Sequence, residues 1–361
     1  MLAGGGVVVC GFSAWLVLRP AAGPGSVPLA ASTGATVSPA GEPAGNPAGN
    51  LDANPGGNPA GNPVGGNAAG GAVRQASVVP PPMRLVPDAA PSPPPALPQA
   101  EPAFAITTAT MERIRRNMPS DLSVFRLAEN PDIVVLDFAS LDRQGRMLDR
   151  IAALTEKRGL PHDRILTPEE LARAVHTEGS ASGWFYYGHD YDVAELNRFF
   201  DTAARDGVPL NADESQLARL LSQLGWRGTD ARGALISLPR LGADAFVTPR
   251  ARDTILTHEL SHGEYFSNPA YTAYVHQFYL SALTAPEREA FRTFLARQGY
   301  DRDQPALMEN ETHAYLLFTT DPEFFSPDDA GLTPARRGQL RAQFLAGMPS
   351  AWLRDVLARL R

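Results

Sequence analysis

The sequence predicts an α+β domain that follows a long region without packed elements. Three observations lead to this prediction. Apolar runs that read as buried strands occur at 133–138 and 233–239, and the chain reads as helical almost throughout after residue 248. Residues 20–103 lack the apolar periodicity of packed elements. We therefore expect a domain over 104–361. Its α/β part should cover 104–247 and its helical part 248–361.

The first 19 residues are apolar and end at Arg19. Their length is near the lower limit for a membrane span and also fits the apolar core of a signal peptide. We expect a signal sequence or an N-terminal membrane anchor over 1–19. The alternative is a short apolar N-terminus without a targeting role. A signal or anchor would place the domain outside the cytoplasm, in the periplasm or cell envelope, either secreted or membrane-anchored.

Residues 20–103 are of low complexity. A four-residue unit, Pro-Ala-Gly followed by Asn or Glu, begins at Pro39, Pro43, Pro47 and Pro59. Such a composition buries too little apolar surface to offset the entropy lost on ordering. We expect a disordered tether. The alternative is a ligand for a proline-binding or wall-binding partner.

Charge and cysteine content limit the classes of function and of metal site that the domain can have. The formal net charge is −7, and no basic cluster indicates nucleic-acid binding. The single cysteine, Cys10, precedes the predicted domain. A metal in that domain must therefore be held by histidine and carboxylate side chains.

The first half of the domain alternates between helix and strand signals. Thr167 and Pro168 are typical of a helix start, and two glutamates follow them. The aromatic run 183–188 reads as a strand or a packing loop. The run 233–239 reads either as a sheet edge strand, along which a substrate backbone could pair, or as a core strand. The predicted helices of this half are 108–118, 141–157, 167–176, 192–205 and 213–224.

The second half begins with a strong helix signal. Thr248 can serve as N-cap and Pro249 occupies the first helical position. No further proline or glycine occurs until Gly263. The helices predicted after this one are 271–283, 286–298, 306–318, 334–345 and 352–360.

Residues 258–262 read His-Glu-Leu-Ser-His, an H-E-x-x-H pattern within this helix. Residues four apart lie on one helix face, so His258 and His262 can bind one metal ion. Glu259, about 100° round the helix, can act on a water at that metal. The pattern indicates one zinc ion with Glu259 as general base. The alternative is a surface helix with two solvated histidines.

A catalytic zinc ion takes three protein ligands, so a further His, Asp or Glu is needed. A histidine six residues after the pattern is excluded, because Asn268 stands there. The segment 309–315 reads Glu-Asn-Glu-Thr-His-Ala-Tyr and lies on a predicted helix. It contains the spacing Asn-Glu-x-x-Ala-Tyr, with its glutamate at Glu311.

This spacing resembles the second motif of the gluzincin metalloproteases, which combine H-E-x-x-H with a glutamate from a later helix. The resemblance covers the two motifs and the helices between them. It implies His258, His262 and Glu311 as zinc ligands and Glu259 as base. It also implies a zincin-like α+β fold, with a small sheet before the active-site helix and a mainly helical C-terminal part.

The resemblance fails at Tyr315, where the family has an aspartate that orients a zinc-binding histidine. Glu309, Asp301 or Asp303 are the alternatives for that hydrogen bond.

Tyr315 lies one turn beyond Glu311 and is a candidate oxyanion stabiliser. Tyr265, three residues after His262, is a weaker candidate. For each tyrosine the alternative is a packing role. His313 should face away from the metal, and His276 should be structural or exposed. No site pattern includes the remaining histidines His162, His176 and His189.

These features predict a zinc-dependent metallopeptidase that hydrolyses a peptide or protein substrate with a metal-activated water. One alternative is a tethered cell-envelope protein that binds zinc or a partner without catalysis. Another is a zinc amidase that acts on a cell-wall cross-link.

Overall fold

The computed structural model describes residues 103–177, 185–228 and 230–360. The predicted N-terminal segment and all but the last residue of the predicted tether lie outside this part of the chain. Residues 183 and 184 of the aromatic run also lie outside it. Among the described helices, none is both long enough and apolar enough to span a membrane.

The first half of the domain contains five strands and five helices in the described part of the chain. The strands are β1 (Ile106–Ala109), β2 (Leu122–Leu127), β3 (Ile133–Phe138), β4 (His189–Asp192) and β5 (Ala234–Pro239). The helices are α1 (Met111–Arg115), α2 (Leu141–Thr155), α3 (Pro168–Thr177), α4 (Val193–Asp206) and α5 (Ala212–Leu224).

The five strands form one mixed sheet in the order β1-β2-β3-β5-β4. β5 runs parallel to β3, and β4 runs antiparallel to β5. The strand predicted at 233–239 is therefore a core strand and not the edge strand. All six of its residues are buried. The edge beside it is formed by β4, which is only four residues long and follows the aromatic run.

The predicted helix at 108–118 is wrong over its first part. Residues 106–109 pair with β2 instead, with Ile106 opposite Val124, and a five-residue helix follows after the N-cap Thr110. Pairing across the sheet gives hydrogen bonds that a local helical signal does not anticipate. The other four helices of this half occur within about two residues of their predicted bounds.

In the described part of the second half, every regular element is a helix. Its helices are α6 (Pro249–Ser267), α7 (Pro269–Ala282), α8 (Ala285–Arg297), α9 (Pro305–His313), α10 (Pro334–Gly347) and α11 (Ala351–Arg359). The predicted helix at 306–318 is interrupted, because α9 continues into a π-helical turn, Ala314–Phe318. The Thr248 hydroxyl caps α6 as predicted, since it accepts the backbone N–H of Ala251.

The sheet separates two layers of helices. Val134 and Leu136 of β3 face a core shared with α2, α4 and α5, whereas Ile133 and Val135 face a core shared with α6. Helix α6 packs against β5 and β4. The fold is α+β as predicted, and every described strand precedes α6.

Candidate metal centre

Helix α6 is buried on most of its surface, which explains its weak amphipathic pattern. His258 and His262 are 0% exposed and Glu259 is 2% exposed. Gly263 faces β3, where a Cβ atom would come within 3.0 Å of Ile133 Cδ1. The absence of a side chain there lets the helix lie close to the sheet. Both imidazoles are therefore held inside the protein, and the alternative of a surface helix with solvated histidines is wrong.

The two imidazoles point their Nε2 atoms at the same place. These atoms are 3.1 Å apart. Glu311, on α9, brings its carboxylate to them. Its Oε1 is 3.6 Å from Nε2 of His262, and its Oε2 is 3.8 Å from Nε2 of His258. Glu311 is also 0% exposed.

These separations fit one small cation. With metal–ligand bonds of about 2.0–2.1 Å, neighbouring ligands of a tetrahedral zinc ion are roughly 3.3 Å apart. The three observed separations lie close to this value, and Oε1 of Glu311 has no hydrogen-bond partner among the described residues. The buried groups of His258, His262 and Glu311 could therefore hold a metal ion.

The second nitrogen of His258 has a hydrogen-bond partner that sequence analysis did not find. Nδ1 lies 2.7 Å from the hydroxyl of Thr319, the residue directly after the π-helical turn. Glu309, Asp301 and Asp303 do not have this role. Glu309 binds His276 at 2.8 Å, and Asp301 accepts the backbone N–H of Asp303.

Tyr300 is another residue that the sequence motifs did not indicate. Its hydroxyl donates a hydrogen bond of 2.5 Å to Oε2 of Glu311. Tyr300 follows α8 and is fully buried. This hydrogen bond holds one carboxylate oxygen and leaves Oε1 facing His262. No local spacing could have revealed it, because the contact depends on how α8 and α9 are joined and packed.

Glu259 lies beside His262, against the segment that leads into β4. A Cβ atom on Gly188 would be 2.7 Å from Cδ of Glu259, so a larger residue would displace its carboxylate. Oε2 of Glu259 has no hydrogen-bond partner among the described residues. Asp190 of β4 also faces the cluster, with its Oδ2 3.6 Å from Nδ1 of His262. Donor atoms of Asp190, Glu259 and His262 all lie within 4.8 Å of one another.

Burial controls the charges of the cluster. It lowers the pKa of His258 well below its usual range and that of His262 to about 4. It raises the pKa of Glu259 and of Glu311 well above their usual range, and that of Asp190 to about 8. Both imidazoles are therefore neutral at pH 7, which is the form that binds a metal ion. A cation among these carboxyl groups would favour their ionised forms.

The two candidate tyrosines are placed differently. The ring of Tyr315 is fully buried and lies 4.9 Å from the His258 ring, edge to face. The hydroxyl of Tyr265 is directed at Glu309, 3.5 Å from its Oε1. Tyr315 thus lies directly beside the imidazole of a candidate metal ligand, whereas Tyr265 contacts Glu309.

Among the described residues, the other histidines do not belong to the candidate metal-binding group of His258, His262 and Glu311. His313 packs perpendicular to His262, with ring centroids 5.7 Å apart. His276 is exposed and paired with Glu309. His162 donates a hydrogen bond from Nε2 to the backbone carbonyl of Lys157, and His176 lies in the last turn of α3. His189 lies in β4 and faces the opposite side of the sheet, toward α2.

No protein-family model, curated protein or solved structure matches this chain. The site is therefore interpreted from its own geometry.

Proposed function

We propose that the domain is a zinc-dependent metallopeptidase of the gluzincin type. The observation that supports this most is the convergence of three buried donors, His258, His262 and Glu311, with a carboxylate oxygen of Glu259 within 4.8 Å of a ring nitrogen of His262. Glu311 follows His262 by 49 residues, a separation that the gluzincin pattern tolerates. The position of the sheet edge next to α6 is also compatible with a zincin-like fold.

Zinc suits this site better than a hard cation does. Two imidazole nitrogens and one carboxylate form a typical catalytic zinc set, whereas Ca²⁺ and Mg²⁺ prefer oxygen ligands. When bound, zinc would acidify a water molecule and polarise the scissile carbonyl.

The proposed catalytic steps depend on Glu259 and the tyrosines. Glu259 accepts a proton from the attacking water and passes it to the leaving amine. Glu259 is buried, and its Oε2 has no hydrogen-bond partner among the described residues, so this oxygen is available to accept that proton. Tyr315 is the stronger candidate for stabilising the oxyanion, and Tyr265 the weaker.

The edge strand offers a place for an extended substrate. β4 pairs with β5 on one side only within the described sheet. A peptide that paired with its other side would run past Glu259, since Gly188 directly precedes β4 and contacts that side chain. The substrate we propose is therefore a peptide or protein bound in an extended conformation.

Replacement of Glu259 by Gln tests the function. The amide cannot accept the proton, so peptide hydrolysis should fall by at least ~100-fold, the lower range for a general base. Zinc content, measured by elemental analysis, should stay at that of the unmodified protein. Cleavage at an unreduced rate, or purified protein that binds no zinc, would refute the proposal.

Complete burial of the metal-binding group favours a second candidate. A tethered envelope protein that binds zinc without catalysis would also keep His258, His262 and Glu311 out of solvent. Metal analysis does not distinguish the two functions, but a proteolysis assay does.

A zinc amidase specific for a cell-wall cross-link would not cleave peptides but would cleave cross-linked wall fragments. The extracytoplasmic location and anchoring through residues 1–19 remain part of the proposal.

A further inference from the structure

The strand that carries Asp190 is held firmly from behind. On the far side of the sheet, Nδ1 of His189 lies 3.1 Å from the Ser237 hydroxyl, and its Nε2 lies 3.4 Å from Oδ1 of Asp149. All three side chains are almost fully buried. This group has the composition of a hydrolytic triad, but its serine is 0% exposed and has no access for a substrate. Its role is to anchor β4.

Side chains alternate across a strand, so Asp190 points to the opposite face from His189. Asp190 pairs in register with Ile236, which belongs to the core shared with α6. Its carboxylate therefore reaches α6 and comes within 3.6 Å of Nδ1 of His262. Asp190 is 6% exposed, and Nδ1 of His262 has no hydrogen-bond partner among the described residues.

A histidine that binds metal through Nε2 carries its proton on Nδ1. In a buried site that proton needs an acceptor, and the acceptor fixes both the tautomer and the orientation of the ring. Two side chains approach His262. Asn310 contacts it from α9, and Oδ2 of Asp190 on β4 lies 3.6 Å from Nδ1, just beyond hydrogen-bond distance. A carboxylate is the stronger acceptor, because a charge-assisted hydrogen bond is roughly twice as strong as a neutral one.

We propose that Asp190 is the positioning residue for His262: it accepts the Nδ1 proton, directs Nε2 at the metal and links the sheet edge to the metal centre. This inference rests on the metal site of the proposed function but not on peptidase activity. It assigns a role to a residue that lies outside both sequence motifs.

The test compares three full-length variants by zinc affinity, measured by competition with a chelator. Asp190→Ala removes the acceptor and should weaken zinc binding by about 10–100-fold, the usual effect of losing such a partner. Asp190→Asn has nearly the same shape but is a weaker acceptor, so its affinity should lie between those of the Ala variant and the unmodified protein. Asp192→Asn is the matched control.

Asp192 lies two residues along the same segment and caps α4 through its side chain. Asparagine caps a helix equally well, so this control keeps the cap of α4 and removes a neighbouring negative charge. Its zinc affinity should change by much less than the roughly tenfold lower limit expected at Asp190.

Thermal unfolding separates positioning from a merely structural role. If Asp190 positions His262, the zinc-free variants should unfold near the temperature of the zinc-free unmodified protein. Only the rise in unfolding temperature on adding zinc should be smaller in the variants. Unchanged zinc affinity in both Asp190 variants would overturn the proposal and leave Asn310 as the acceptor. The proposal would also be overturned if the unmodified protein bound two equivalents of zinc and the Asp190 variants bound only one, since Asp190 would then be a zinc ligand. A protein that binds zinc as expected but cleaves no peptide would refute only the proposed function.

Discussion

At the scale of single residues, hydrogen bonds from neighbouring side chains hold two of the candidate metal ligands, His258 and Glu311, in position. Thr319 binds Nδ1 of His258, and Tyr300 binds Oε2 of Glu311. Such partners orient the binding atoms before a metal arrives. None of them belongs to the H-E-x-x-H pattern, so the geometry of the site is supplied by residues from other segments.

Tyr300→Phe should weaken zinc binding by about tenfold or more, because Glu311 loses the donor that orients its carboxylate. Tyr271→Phe is a suitable control. Tyr271 is equally buried, and its hydroxyl has no partner among the described residues, so its removal should leave zinc affinity unchanged. Chelator competition measures both variants. Equal zinc affinity of the two variants would contradict the role given to Tyr300.

At the scale of elements, the centre is assembled where α6, α9 and β4 meet. Helix α6 supplies both histidines, α9 supplies Glu311, and the start of β4 brings backbone against Glu259. The π-helical turn after α9 brings Thr319 to His258. Turns of this kind are frequently found at functional sites. At Gly188 the backbone leaves no room for a Cβ atom, because the Glu259 carboxylate occupies that space.

Gly188→Ala should lower kcat by roughly 100-fold, because the new methyl group displaces the Glu259 carboxylate and a shift of about 1 Å has that cost. Zinc content should be retained, since the three atoms nearest the added methyl group all belong to Glu259 and not to a proposed ligand. Gly338→Ala in α10 is the control, because a Cβ atom there meets nothing within 4 Å. A Gly188→Ala enzyme with normal kcat would show that Glu259 need not occupy its present position.

At the scale of the whole molecule, metal binding should contribute to stability. The cluster combines two neutral imidazoles with several buried carboxyl groups whose pKa values are raised by burial. A divalent cation compensates the charge of those carboxylates, and an unfolded chain cannot form the site. The two cores meet at the sheet that supports α6, so stabilisation of the centre extends to both layers.

Removal of zinc should therefore lower the unfolding temperature. At a free zinc concentration of about 100 times Kd the folded state gains about 2.7 kcal/mol, which corresponds to roughly 5–10 °C for a domain of this size. Calorimetry with and without a chelator measures the difference. The Glu259→Gln variant should keep the rise in unfolding temperature that zinc causes, and the His262→Ala variant should lose it. The same unfolding temperature in both conditions would argue against a metal that binds only the folded protein.

Local sequence determined much of the second half of the domain. Thr248 and Pro249 define the start of α6, and the spacing of His258 and His262 places both on one face of it. Helix signals of this kind depend on neighbours within about four residues, so they can be read without tertiary structure. Glu311 was identified in the same way, although only by resemblance to a known motif.

Only the tertiary structure decided what surrounds these residues. The edge position of β4, the approach of Asp190 to His262 and the hydrogen bond from Tyr300 to Glu311 join residues far apart in the chain. Strand pairing and side-chain partners across a core are set by non-local packing, which leaves no fixed spacing in the sequence. Sequence therefore determined which groups could bind the metal, whereas the packing of α6 against the sheet and α9 decided which groups hold them in place.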